Sequence, residues 1–321
     1  MQNDQTGFSR RQALTIAAGL GTCLVSDVPA WAADKRRKFT VDLCPGRIGV
    51  KANQSEAIEM AAKHQFESVE PIAWDLAGKS ADQLKSVVES LKSKSLAWGA
   101  AGLPVDFRKD EEKFQADLKE LPKACEAMAT CGVKRVGTWI MPAHNQRTYR
   151  KNFDLHANRL QQCASVMAKH GLGLGLEYVG PRTLWSSMQY SFVHTMVETK
   201  ELIAAIGENN VGFVLDSWHW YTAKETVEDL LSISAKQIYA VDLNDAPAGI
   251  EIDQQIDQTR TLPVATGVID IKAFLEALIK VGYDGPVRAE PFDKKLNAMD
   301  DEPALAKTSQ AMWKAMKVIG G

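Results

Sequence analysis

The chain has 321 residues, 45% hydrophobic and 24% charged, enough for one large barrel or two ordinary domains of globular composition. Its formal net charge is −2. No basic surplus or polybasic block marks it for nucleic acid or for an anionic membrane surface.

Residues 1–32 stand apart from the fold. Ser9-Arg10-Arg11-Gln12-Ala13-Leu14 opens with paired arginines, a weakly apolar run follows over 14–25, and Ala30-Trp31-Ala32 has the small-x-small form of a cleavage site. The run is too short for a stable membrane anchor. This segment resembles a twin-arginine export signal. The resemblance implies passage through the twin-arginine export machinery, a mature chain from about Ala33, and a periplasmic or secreted location. An uncleaved anchor and a lipid on Cys23 are the alternatives, the second disfavoured by Leu24 after the cysteine. Cys44, Cys125, Cys131 and Cys163 match no zinc-site spacing and read as buried thiols.

From there to the end, strand and helix patterns alternate. The apolar runs predict strands at 39–44, 66–70, 96–101, 135–139, 172–177, 211–216, 237–242 and 287–290. Helical spacing predicts helices at 55–64, 81–94, 111–131, 153–170, 190–206, 226–232, 269–281 and 303–319. Gly132, Gly171, Gly207 and Gly282 each follow a helix, as C-terminal caps do. Eight such units without a composition shift predict an α/β protein, a single (β/α)8 TIM barrel over 33–321. An open doubly wound sheet would want a glycine-rich phosphate loop after an early strand, and none is present. Two connections, 141–152 and 246–267, are long enough to serve as lids or substrate loops.

Acids recur where these strands end. Glu70 closes the second, Glu177 the fifth, Asp216 the sixth, Asp242 the seventh and Glu290 the eighth. In a barrel, strand carboxyl ends converge on one pocket. Four carboxylates there need a compensating charge, and a divalent cation on Glu177, Asp216, Asp242 and Glu290 is the simplest one. Oxygen-only ligation suits Mn²⁺, Mg²⁺ or Co²⁺ better than Zn²⁺. His219, Arg260, Arg288, Arg182, Glu70 and His144 are the candidates for substrate contact. Trp139, Trp185, Trp218 and Tyr178 are candidate apolar walls, although core packing is the commoner role of any one aromatic.

These stretches carry a resemblance to the xylose isomerase-like barrel superfamily, in its branch of sugar epimerases and isomerases. LGLEYVGP matches the strand that supplies the first metal glutamate, here Glu177. LDSWHWY matches an Asp-x-x-His, here Asp216 and His219. VRAEPF matches the last metal glutamate, here Glu290, and TRTLPVATGVID the loop whose arginine meets substrate, here Arg260. The seventh strand departs from the pattern: VDLNDA puts Asp242 where the family's histidine ligand would be, with Asp245 as the following acid. That opens the choice of metal, Mn²⁺ being the first expectation, and leaves a metal-free relative as an alternative.

The resemblance implies an exported, metal-dependent isomerase or epimerase of an unphosphorylated sugar, ketose or cyclitol, often oligomeric. Glu177 and Glu290 would flank the substrate, one removing the α-proton and the other returning it, while the ion stabilises the enediolate. A 3-keto-glycoside lyase using the same proton abstraction is the runner-up. A non-catalytic periplasmic sugar-binding protein is the alternative from another class. The superfamily's nuclease branch is disfavoured by only six histidines and the absence of a basic excess.

Overall fold

The computed structural model describes residues 37–320, so the expected export signal over 1–32 lies outside the described residues. Strands β1 (Thr40–Leu43), β2 (Ser68–Val69), β3 (Ala97–Trp98, continued as Ala100–Gly102), β4 (Arg135–Trp139), β5 (Gly173–Glu177), β6 (Val211–Asp216), β7 (Ile238–Leu243) and β8 (Pro286–Ala289) pair in parallel, and β1 pairs with β8. The first half of β3 pairs with β2 and the second half with β4, so the chain itself closes the ring at Gly99. Glycine is needed there: a Cβ would sit 2.4 Å from the Asp42 carboxylate. The result is the predicted (β/α)8 barrel.

Helices α1 (Gln54–Lys63), α2 (Ala81–Ser93), α3 (Glu111–Thr130), α4 (Tyr149–Ala168), α5 (Met196–Ile206), α6 (Val227–Leu231), α7 (Ile271–Val281) and α8 (Asp301–Lys317) follow the successive strands. All four glycines expected to end helices have positive φ. The fifth helix differs from expectation. It begins at Met196, because Thr195 and Glu198 form a capping box, while Tyr190–Ser191 pairs antiparallel with Ala143–His144. The fourth helix starts at Tyr149, which shortens the connection expected over 141–152. A short helix, Ser217–Thr222, follows β6 directly, with Asp216 as its N-cap. No helix among the described residues is long and apolar enough to cross a membrane.

Apolar side chains fill the space between strands and helices. Inside the ring the filling is small, Ala100, Val214 and Ala240 forming a separate cluster. Gly137 and Gly175 approach Val214 so closely that a Cβ would come within 2.9 and 2.8 Å of its methyl. Small residues in this layer leave room for one long polar side chain, Arg288, to cross the barrel to the Ala100 carbonyl at 3.0 Å. The four cysteines of the described chain are buried and free.

Candidate active site

Register brings the strand-end groups together. Asp216 on β6 is opposite Asp242 on β7, Asp242 opposite Arg288 on β8, Arg288 opposite Asp42 on β1, and Asp42 opposite Ser68 on β2. Glu177 and Glu290 stand at the same end of the ring. Glu177, Asp216, Asp242 and Glu290 are all buried.

The four acids do not form one cluster. Two groups share Glu177: Glu177–Asp216–His219 and Glu177–Asp242–Glu290, each offering ligand atoms within 4.8 Å of one another. In the first, Glu177 Oε1 is buried without a hydrogen-bond partner, and His219 Nε2 lies 3.8 Å from it and 3.9 Å from Asp216 Oδ2. An orphaned carboxylate oxygen beside an imidazole and a second carboxylate fits a divalent cation. This donor set is mixed rather than oxygen-only, so it admits Zn²⁺ as readily as Mn²⁺.

Three guanidinium groups supply compensating charge beside these acids: Arg260 and Arg288, which the sequence offered for that role together with Arg182, and Arg47, which it did not. Arg260 Nη1 donates to Asp216 Oδ2 at 2.7 Å and to Glu290 Oε2 at 2.9 Å, while Nη2 donates to Asp257 at 2.7 Å and to His219 Nε2 at 3.0 Å. Its guanidinium lies 4.5 Å over the Phe292 ring. Arg288 Nε donates to Asp242 Oδ1 at 2.7 Å. Arg47 contacts Glu290 and lies 3.5 Å from Asp242. It comes from the turn Pro45–Ile48 after β1, which ends at Gly49. Gly49 has φ +82°, and the Asn297 backbone is 2.7 Å from where a Cβ would sit, so only glycine fits. Asp242 therefore stands where the family pattern has histidine, but its oxygens are held by Arg288 and faced by Arg47.

The surroundings push these groups apart in acidity. Burial, then the Asp242 and Asp216 charges, hold Glu177 well above the usual carboxylate range. Asp216 is raised to about 6 by burial, against the pull of Arg260. Burial also opposes the charge on Asp242, yet Arg288 and Arg47 win and lower it. Burial and Arg260 keep His219 neutral.

Sequence reasoning missed Arg47, Asp42 and Asn244. Asn244 Nδ2 donates to both Asp216 oxygens at 3.1 Å, and its Oδ1 accepts from the Glu290 amide at 2.9 Å, so one side chain aligns two of the acids. A buried amide inside VDLNDA was the only hint. Asp245, the second acid of that motif, accepts from the amides of Ala246, Thr266, Gly267 and Ile269 and pins both ends of the 246–267 loop. Asp42 is 1% exposed, both its oxygens lack partners, and burial raises it to about 7.

Asp42 carries a pH prediction. Its folded pKa lies above the ordinary 3.8, so the folded chain binds more protons than the unfolded one between about pH 4 and 7. Stability is lost as pH rises through that window, by up to about 4 kcal/mol. Asp42→Asn should be stabilised relative to wild type at pH 8 but not at pH 4, measured by urea unfolding. A pH-independent difference would contradict the assignment.

The remaining candidates divide. Glu70 accepts from the buried Cys44 thiol at 2.8 Å and lines a cleft at the barrel mouth. His144 lies in the loop after β4, beside Trp139 and apart from the acids, with Nδ1 accepting from the Gln146 and Arg147 amides at 2.9 Å. Arg182 is exposed, and pairs with Asp253 at 3.4 Å rather than entering the site. Tyr178 and Trp218 are buried, Trp218 with the Arg260 guanidinium 5.8 Å over its ring, Trp185 stacks on His194, and Trp139 lines the hollow beside His144.

The sequence profile described as Xylose isomerase-like TIM barrel matches residues 56–316. The chain is similar to an inosose isomerase of Bacillus velezensis, 25% identical over 270 residues, 81% of this chain and 92% of that one. A xylose isomerase domain protein of Alicyclobacillus acidocaldarius superposes with a TM-score of 0.76 at 27% identity, over 88% of this chain and all of that one. The crystal structure of the IOLI protein with a bound zinc atom superposes with a TM-score of 0.71 at 22% identity, over 87% of this chain and 98% of that one, a likeness of fold.

Proposed function

The chain belongs to the Xylose isomerase-like TIM barrel family, and from that premise we propose that it is an exported sugar isomerase or epimerase acting by α-proton transfer on an unphosphorylated ketose or cyclitol. The observation that carries this reading is the pair Glu177 and Glu290, within 4.8 Å of each other in one buried group but with opposite surroundings. Glu290 is salt-bridged to Arg47 and Arg260, and takes the proton from the carbon next to the substrate carbonyl. Glu177 has no cationic hydrogen-bond partner, so it is free to return a proton to the reacting carbon. Arg260 sits between Asp216 and Glu290, where it also meets substrate oxygens. His219 has Nδ1 against the Gly180 amide and Nε2 facing Glu177 and Asp216, so it serves the ion rather than a substrate hydroxyl. Glu177, Asp216 and His219 would hold a divalent ion, with Glu290 and Asp242 beside it. Such an ion supplies Lewis-acid polarisation of the carbonyl.

A second reading keeps the same first step and ends in elimination from a 3-keto-glycoside. The α-proton goes to Glu290, the bond to the aglycone oxygen breaks, and Glu177 protonates the departing oxygen. The open cleft beside Glu70 favours it by leaving room for an aglycone.

The test measures metal in protein purified without chelator, together with Glu177→Gln and Asp216→Asn, and deuterium wash-in from D₂O on ketoses, inososes and 3-keto-glycosides. The expected result is about one equivalent of Mn, Zn, Co or Mg in wild type, lost in both variants, and wash-in at one carbon. Metal absent even after addition of Mn²⁺ would remove the ion from the scheme. Failure of wash-in on every substrate would remove the proton-transfer reading. An unsaturated product would select elimination.

A further inference from the structure

The large apolar side chains exposed on the described residues are Trp74, Trp139, Val197, Ile250, Ile256 and Met299. All but Val197 lie at or beyond the carboxyl end of a barrel strand, around the mouth above the acids. Trp74 is 47% exposed and Trp139 42%. An exposed apolar rim on a polar pocket marks a binding surface. A cleft of about 450 Å³ starts at Glu70, at the barrel mouth, and runs outward past Trp74, Pro104 and Arg108. Arg108 is shared with the neighbouring hollow that holds Trp139. Its guanidinium lies between the Phe107 and Trp139 rings, 4.6 and 4.4 Å from their centroids, and donates to the Trp139 carbonyl at 2.7 Å. The wall between the two tryptophans is thus held in place.

Charge says what the cleft accepts. Arg108 is paired with Asp106 at 3.5 Å, and Lys113 with Asp117 at 2.6 Å. Both cations are paired and Glu70 adds a third acid, so the lining offers no surplus positive charge to a phosphate or a carboxylate. A broad indole beside paired polar groups suits a neutral ring with an apolar face and a hydroxylated edge.

We propose that this cleft is the subsite for the aglycone ring of a neutral glycoside, stacked on Trp74, while the reacting sugar occupies the barrel mouth at Glu177 and Glu290. The proposal rests on the second form of the proton-transfer reading, in which the substrate is a 3-keto-glycoside, and assigns that substrate's aglycone its place. Trp74 belongs to the short helix Ala73–Ala77 beyond β2, outside the ring of acids, and is a specificity residue rather than a catalytic one.

The experiment is a calorimetric titration of the purified protein with glucose and with phenyl β-glucoside, repeated with Trp74→Ala and Trp74→Phe, alongside deuterium wash-in on the 3-keto forms of both sugars. Wild type should bind the phenyl glucoside at least about tenfold tighter than glucose. Trp74→Ala should erase that preference without changing glucose binding, and Trp74→Phe should restore most of it. Equal binding of the two ligands, binding of neither, or a preference that survives Trp74→Ala overturns the proposal. So does a change in sedimentation of Trp74→Ala from dimer to monomer, which would make the rim a contact between copies of the chain. Binding through Trp74 without wash-in on the 3-keto glycoside would leave the subsite standing and remove the proton-transfer reading instead.

Discussion

Glu177→Gln should lower α-proton exchange by about 10³- to 10⁴-fold, at the upper end of what a positioned acid or base contributes, while leaving the barrel folded. The expectation follows from where the residue sits. It is the last residue of β5, it belongs to both metal-capable groups, and its Oε1 has no partner within the protein. Glutamine keeps the shape and removes the proton donor. Because burial holds the native carboxyl well above its ordinary range, removing its charge relieves a cost rather than adding one. Thermal midpoint measured in chelator should therefore stay level or rise, whereas with metal added wild type should exceed the variant, which no longer holds the ion. Exchange measured by NMR in D₂O, with circular dichroism on the same sample, checks both halves. Activity within tenfold of wild type would take Glu177 out of the chemistry. The companion Glu290→Gln should also lose exchange, but with a lower midpoint, since it leaves Arg47 and Arg260 without one of their counter-charges.

Arg288→Met should cost about 3–5 kcal/mol of stability, the usual result of removing one partner from a buried ion pair. Asp242 is 0% exposed, and Arg288 supplies its 2.7 Å hydrogen bond. The same guanidinium satisfies the Ala100 carbonyl and lies opposite Asp42 in register. Arg47, at 3.5 Å and partly exposed, compensates only in part. The double variant Arg288→Met/Asp242→Leu should recover most of the loss, because an apolar pair leaves no buried charge behind. Denaturant midpoints at unchanged m-value measure it. A single-variant loss under about 1 kcal/mol would mean that Asp242 is neutral or solvated in the folded chain.

The barrel was legible because its signal is local. A strand buried on both faces is a continuous apolar run, a packed helix has a 3.6-residue stripe, and a glycine after it ends it. Such patterns place β6 at 211–216 and β4 at 135–139 to the residue. Acids at strand ends are equally visible, since strand periodicity tells which way they face once a barrel is granted. Local signals failed where a distant segment competes: 190–191 reads as helix until Ala143–His144 offers it a strand partner.

By itself, then, the sequence determined the (β/α)8 class, the order of its units and the acids Glu177, Asp216, Asp242 and Glu290 that meet at one end. Tertiary structure alone decided how those acids are neutralised. Whether Asp242 faces an ion or a guanidinium depends on its register against β8. Whether Arg47 enters the site depends on a turn braced by Asn297. Arg182 and Arg260 both lie in connections beyond strand ends, and only packing buries Arg260 between Asp216 and Glu290 while leaving Arg182 at the surface. Charge pairing is set by distances of a few ångströms between residues far apart in the chain, and periodicity along the chain carries no record of those distances.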